Sequence, residues 1–206
     1  MVSQTRNRTA LLLCLGSLGL VAGCSSVEVY RHQNESRLDA VFIKQDVDFS
    51  RYRSVIVDDV SVWYPADRAP SPESAERAQA NLERAQRMFR QTISEALSGR
   101  YPVTDQPGRG VLRVQAEFVD LRALQPGEAI PAELQRYDFE ARPGHITMVA
   151  RLLDSSTGEV LARAADLGQQ ASAGGDGVVD WAAIGHDFDY WAGVFREWMD
   201  EVHGAE

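Results

Sequence analysis

Chemistry needs particular side chains at particular spacings, and this chain offers few. His186, Asp187, Asp189 and Tyr190 are its densest group of potential ligands. His186 and Asp189 lie three residues apart, so on a helix they share a side. Two ligands fall short of the three or four that zinc takes, and no matching Glu-x-x-His pair stands elsewhere. The group reads as a solvated acidic face, and no metal or cofactor is expected. Asp58 and Asp59 are adjacent acids of the kind a hydrolase uses, but neighbours in a strand point to opposite faces. One of them would face inward and need a partner, a hint of structure before catalysis. Asp176 and Asp180 lack the spacing of a calcium loop. Gly108-Arg109-Gly110 precedes a strand instead of a helix, so it is no phosphate cradle. There is no Gly-x-Ser-x-Gly elbow, and no catalytic residue is assigned. His32, His145 and His203 fall in the tether, a loop and the tail, and are expected to face solvent.

Cys24 has the most definite chemical context. Arg6 and Arg8 are followed by an apolar run over residues 10–21 and then by Ala22 and Gly23. A basic start, a short apolar segment and a small-residue processing site make residues 1–23 a secretory signal peptide. The run is shorter than the roughly 20 residues of a transmembrane helix. Val21-Ala22-Gly23-Cys24 resembles the lipobox of bacterial lipoproteins, where leucine is the commoner residue at the place of Val21. The resemblance implies cleavage before Cys24, a diacylglycerol on its thiol and an acyl group on its new amine. Two chains already anchor a protein stably, so three would hold it for its lifetime. In that family an aspartate after the cysteine often marks inner-membrane retention; Ser25 and Ser26 therefore imply the outer membrane.

The chain has 206 residues, with 21 basic and 30 acidic side chains and an ordinary apolar fraction of 44%. Two basic residues and no acid lie in the signal, so the remaining 183 residues stand at 19 basic against 30 acidic. That length suits one domain with a good core. Such acidity disfavours nucleic acid, whose affinity comes mainly from Lys and Arg on phosphates, and equally disfavours anionic lipid head groups. Once Cys24 is modified no thiol follows it, which excludes disulfides, cysteine nucleophiles and thiolate metal sites.

Residues 24–45 are mostly polar and read as a tether from the lipid, although Val27, Val29, Val41, Phe42 and Ile43 are apolar enough to dock on the body. A single periplasmic domain is expected over residues 46–206. Residues 53–64 alternate as a first strand. After Pro65, Pro70 and Pro72, Ser71 or Ser74 is placed to cap a helix over 73–97, with Ala85, Phe89 and Ile93 on its apolar stripe. In the strand over 111–121, Leu112, Val114, Ala116 and Phe118 alternate with Arg113, Gln115 and Glu117. A long loop holding Pro126, Pro131 and Pro143 follows. Strands over 146–153 and 159–165 flank Asp154-Ser155-Ser156-Thr157-Gly158, which has hairpin-turn chemistry. A glycine-rich stretch over 173–177 leads to a last helix over 180–202.

That helix carries Trp181, Ile184, Phe188, Trp191, Phe195, Trp198 and Val202 at steps of three and four without a miss. The stripe is expected to bury against the sheet, with truncation of Trp191 or Phe195 costing about 3–5 kcal/mol each. The alternative is a partly exposed stripe on which a partner docks through Trp181, Phe188, Trp191, Phe195 and Trp198. The element order predicts an α+β fold: a mixed or mainly antiparallel sheet of about four to five strands with two long helices packed on one face.

Phe42 with Val47-Asp48-Phe49-Ser50-Arg51-Tyr52, the segment from Ser54 to Trp63, Gly110-Val111-Leu112-Arg113-Val114, and Leu153-Asp154-Ser155-Ser156-Thr157-Gly158-Glu159-Val160-Leu161 carry a further resemblance. Together they resemble the bacterial lipoprotein family known as domain of unknown function 3313, over residues 40–170 or so. The resemblance implies an envelope address and brings no catalytic residues. The leading expectation is a non-enzymatic binding or adaptor domain, lipid-anchored at the outer membrane, facing the periplasm and taking an envelope protein partner. A cell-wall or glycan hydrolase using Asp58 or Asp59 is one alternative. A small-molecule-binding accessory of an envelope transporter is the other.

Overall fold

The computed structural model describes residues 30–33, 36–63, 71–72, 74–120, 145–171 and 179–204. The signal segment, Cys24 with Ser25 and Ser26, the proline-bearing loop after residue 120 and the glycine stretch with Asp176 lie outside them, as do the side chains of Asp120 and His145.

The alternating run centred on Val114 is a strand, Val111–Asp120, in the middle of the sheet. It pairs antiparallel with His145–Asp154, which turns back onto Val160–Ala171. On its other side Ser54–Val57 and Ser61–Trp63 run parallel to it. Ala40–Lys44 and then Tyr30–His32 extend the opposite edge, both antiparallel. In chain order these are β1 (Tyr30–His32), β2 (Ala40–Lys44), β3 (Ser54–Val57), β4 (Ser61–Trp63), β5 (Val111–Asp120), β6 (His145–Asp154) and β7 (Val160–Ala171). Their spatial order is β1-β2-β7-β6-β5-β3, with β4 beside the second half of β5.

Seven strands among the described residues exceed the four to five expected. Two of them come from the segment expected to be a tether: β1 and β2 belong to the sheet, so the body already includes Tyr30. Their pairing is non-local, Val41 against Ala164, and a short polar-flanked strand carries little local pattern to announce it. Another comes from the expected strand over 53–64, which is interrupted between β3 and β4 where Asp58 and Asp59 stand.

Parallel pairing of β3 with β5 requires a long crossover. It includes α1 (Ala75–Leu97), which buries Ala85, Phe89, Ile93 and Leu97 four residues apart. Ser74 stands at its cap position but makes no side-chain capping bond, and Gly99, at φ 77°, follows its end. The second helix, α2 (Trp181–Val202), is capped by Asp180, whose carboxylate accepts from the Ala182 and Ala183 amides at 3.0 and 3.1 Å. Both helices lie on the face of Leu112, Val114, Ala116 and Phe118. The Phe118 ring is 5.7 Å from Phe89 of α1 and 5.2 Å from Phe188 of α2. The α+β class, with both helices on one face, is as expected.

Candidate functional site

The helix-facing side of the sheet is not uniformly bulky. Register sets Val41 of β2 beside Ala164 of β7, Ala164 beside Ala150 of β6, and Ala150 beside Ala116 of β5. Three neighbouring alanines thus cross the floor. The next row runs Ile43, Ala162, Leu152 and Val114. Above this floor α2 rests on large rings. Phe188 and Trp191 stand 5.2 and 6.0 Å from Phe118, and towards the helix end Trp198 meets Phe49 edge-on at 4.9 Å. Methyl groups below and ring supports at both ends leave space between the layers. The result is a pocket of about 360 Å³, with Val194, Phe195 and Trp198 on the helix side and Phe89 and Ile93 of α1 at its inner end. Ala150 and Ala164 remain half-buried although they face the helices.

The connection between β1 and β2 borders the mouth. Arg37 pairs with Glu197 of α2, and the Tyr190 hydroxyl donates to the Arg37 carbonyl at 2.5 Å. The Arg37 and Glu197 side chains are 51% and 60% exposed, so their pairing adds only about 0–1 kcal/mol. Its consequence is positional: one positive and one negative group stand at the rim, with Glu201 one turn further along α2.

Asp166 on β7 is buried, at 4% exposure. Trp191 Nε1 donates to its Oδ2 at 2.7 Å and the Asp39 amide to its Oδ1 at 3.0 Å, while the Leu167 amide donates to Asp39 Oδ2 at 2.8 Å. Burial pushes the Asp166 carboxyl up to about 6; the Trp191 and Asp39 N–H groups act the other way, and the Asp39 and Asp187 charges add to the rise. Its folded value lies above the unfolded one of 3.8, so its contribution to stability falls as pH rises from there through about 6.

Asp187 was expected on the solvated acidic face with His186 and Asp189. It is instead 1% exposed and approaches Gly168, where a Cβ would stand 2.3 Å from its Oδ2. The helix lies so close to β7 here that only glycine fits. His186 and Asp189 are exposed, so helix rotation splits the group. Among the described residues no three His, Cys, Asp or Glu side chains gather as a metal site would need.

Of the five aromatic residues offered to a partner, Phe188 and Trp191 are core, at 0% and 3% exposure. Trp181, Phe195 and Trp198 are half-buried, and the Arg84 guanidinium covers Trp181 at 4.3 Å. Asp58 and Asp59 line a separate polar crevice of about 170 Å³ but diverge within it. Asp58 accepts from Gln115 Nε2 at 2.9 Å, with Arg113 at 3.7 Å, whereas Asp59 pairs with Arg90 of α1 at 3.1 Å. Neither acid is buried, contrary to the inward position expected of one. His32 is exposed as expected; His203 is half-buried, its Nδ1 2.7 Å from the Met199 carbonyl oxygen. Sequence reasoning missed Arg37, Asp39, Asp166 and the alanine row. Alanine is a poor strand former, so its recurrence at inward positions of β6 and β7 was the available signal.

Fold and pocket define a two-layer α+β domain with a cavity between its layers. The model of a family described as protein of unknown function (DUF3313) matches residues 25–195, and the chain belongs to that family. No curated protein matches it. Among solved structures it is similar to a PelC variant dodecamer from Paraburkholderia phytofirmans, at 9% identity and a TM-score of 0.36 over 82% of this chain and 98% of that one. It is also similar to a DUF4136 family protein from Bacteroides thetaiotaomicron, at 10% identity and a TM-score of 0.39 over 85% and 97%. A second PelC dodecamer structure from P. phytofirmans gives 10% identity and a TM-score of 0.33 over 87% and 99%.

Proposed function

We propose that this protein is a lipid-anchored domain of the bacterial envelope, facing the periplasm from the outer membrane, that holds an apolar ligand between α2 and the sheet. The pocket carries this reading. Its volume of about 360 Å³ falls within the range of small-molecule sites, and its walls are mainly apolar with Arg37, Glu197 and Glu201 at the mouth. Such an interior offers transfer from water before it offers reacting groups, which supports binding over turnover. A protein partner on the α2 stripe has less support, because Trp181 and Trp198 already pack on Arg84 and Phe49.

The test uses the chain from residue 24 with Cys24→Ser, which keeps every described residue of the core cluster. N-phenyl-1-naphthylamine, a neutral dye that brightens in apolar surroundings, is expected to bind with a Kd on the order of micromolar. Ala164→Leu fills the floor and is expected to weaken the dye at least tenfold while costing no more than about 3 kcal/mol of stability. No dye binding by the parent chain, or equal binding by Ala164→Leu, would contradict the reading.

The envelope address rests on the lipobox resemblance and has its own test. Mass spectrometry of the native amino terminus is expected to find a triacylated Cys24, and Cys24→Ala is expected to abolish lipid attachment. An unmodified Cys24, or a mature start elsewhere, would end the lipoprotein reading.

A further inference from the structure

We propose that the ligand is a single-chain zwitterionic phospholipid: one acyl chain with a phosphate and an ammonium in its head group, the chemistry of lysophosphatidylethanolamine. This rests on the pocket reading above and adds the identity of what fills it.

Size sets the chain. A pocket of about 360 Å³ between α2 and the alanine floor has room for an acyl chain, and Arg37 at its mouth takes one phosphate head. An α-helix, roughly 10–12 Å across with its side chains, is far too wide to enter. Phe89 and Ile93, 2% and 3% exposed, close the inner end. The chain therefore enters tail first and leaves its head at the mouth.

Charge sets the head. The mouth carries Arg37 opposite Glu197, with Glu201 a turn away; Arg163 also borders the pocket, but its guanidinium lies over the Tyr30 ring at 5.3 Å. A purely anionic head would gain Arg37 but face two carboxylates. A purely cationic head would gain the carboxylates but compete with Arg37 for them. A zwitterion exchanges with the existing pair: its phosphate takes the Arg37 guanidinium in a forked contact, and its ammonium takes Glu197 and Glu201. Both residues of the pair are half-exposed, so the exchange releases neither charge into a dry interior.

The experiment displaces N-phenyl-1-naphthylamine from the Cys24→Ser chain with single-chain amphiphiles of matched length, each below its micellar concentration. Lysophosphatidylethanolamine is expected to act at a concentration at least tenfold lower than lysophosphatidylglycerol or an alkyl-trimethylammonium. Arg37→Ala and, separately, Glu197→Gln are each expected to reduce that preference at least threefold, with unfolding midpoints unchanged because both positions are exposed. Equal displacement by all heads, or a preference untouched by both variants, would overturn the proposal while dye binding still upholds the pocket. Failure of the dye itself would overturn both. A dimer that excludes the dye would make a second copy the occupant. Exclusion from the lipidated chain alone would give the pocket to the protein's own acyl group. Either result would overturn the proposal.

Discussion

Trp191→Ala is expected to destabilise the domain by about 4 kcal/mol. The side chain is 3% exposed, lies 6.0 Å from Phe118 and 5.9 Å from Phe188, and gives Asp166 its 2.7 Å N–H donor. Truncation removes that ring from the support under α2 and leaves a buried carboxyl short of a partner. Against a total stability of roughly 5–15 kcal/mol, such a loss should appear as a large fall in the urea midpoint. Trp191→Phe keeps most of the packing but not the donor, and is expected to fall between the two. Phe195→Ala belongs elsewhere. Phe195 is a half-buried wall of the pocket, so its truncation is expected to cost about 1–2 kcal/mol, less than sequence alone suggested. Equal midpoints for Trp191→Ala and the parent chain would mean that α2 does not bear on the sheet through this ring.

The second large effect lies at the other end of the sheet. Asp154, 6% exposed, joins the β6–β7 turn to the segment before β3. Its Oδ1 accepts from the Ser156 hydroxyl at 2.5 Å and from the Ser156 and Thr157 amides at 2.9 and 3.2 Å. Its Oδ2 accepts from the Tyr52 hydroxyl at 2.8 Å and from Arg51 at 3.0 Å. Burial alone would push this carboxyl up, but the Ser156 and Tyr52 hydroxyls and the turn amides outweigh it and hold it at about 2. Asp154→Ala leaves these donors unpaired and is expected to cost about 3 kcal/mol.

The sign of the pH effect follows from that lowered value. The folded carboxyl lies below the unfolded 3.8, so its stabilisation is present above that pH and is lost as pH falls towards about 2. The amount is on the order of 2 kcal/mol. Urea midpoints of the parent chain should drop across this interval, and those of Asp154→Asn should lose that part of the slope. An unchanged slope in Asp154→Asn would assign the acid sensitivity to other carboxylates.

Local pattern made part of this molecule legible. The alternation of Leu112, Val114, Ala116 and Phe118 and the Asp154–Gly158 turn follow from nearest-neighbour periodicity and stand as expected; the stripe from Trp181 to Val202 is one helix face, but only Ile184, Phe188 and Trp191 of it are fully buried. Pairing across the chain did not show. Val41 meets Ala164 only because the sheet extends past β7; the apolar run Val41-Phe42-Ile43 suggests docking on the body but not which strand it pairs with. Asp187 misled for a related reason. Its polar type suggested the outer face, whereas the approach of α2 to Gly168 turns it inward. The pocket was the least legible feature, because it depends on which small residues share a cross-strand row. Ala116, Ala150 and Ala164 come from three strands, and only register brings them together.

A crystal structure of the chain from residue 24, with Cys24→Ser, grown with dodecylphosphocholine, tests the binding site most directly. The expected result is one continuous tube of density between the Ala150–Ala164 floor and Val194, Phe195 and Trp198, with its head beside Arg37 and Glu197. A structure in which α2 sits down on the alanines, the space is closed and the amphiphile lies elsewhere or is absent would contradict it.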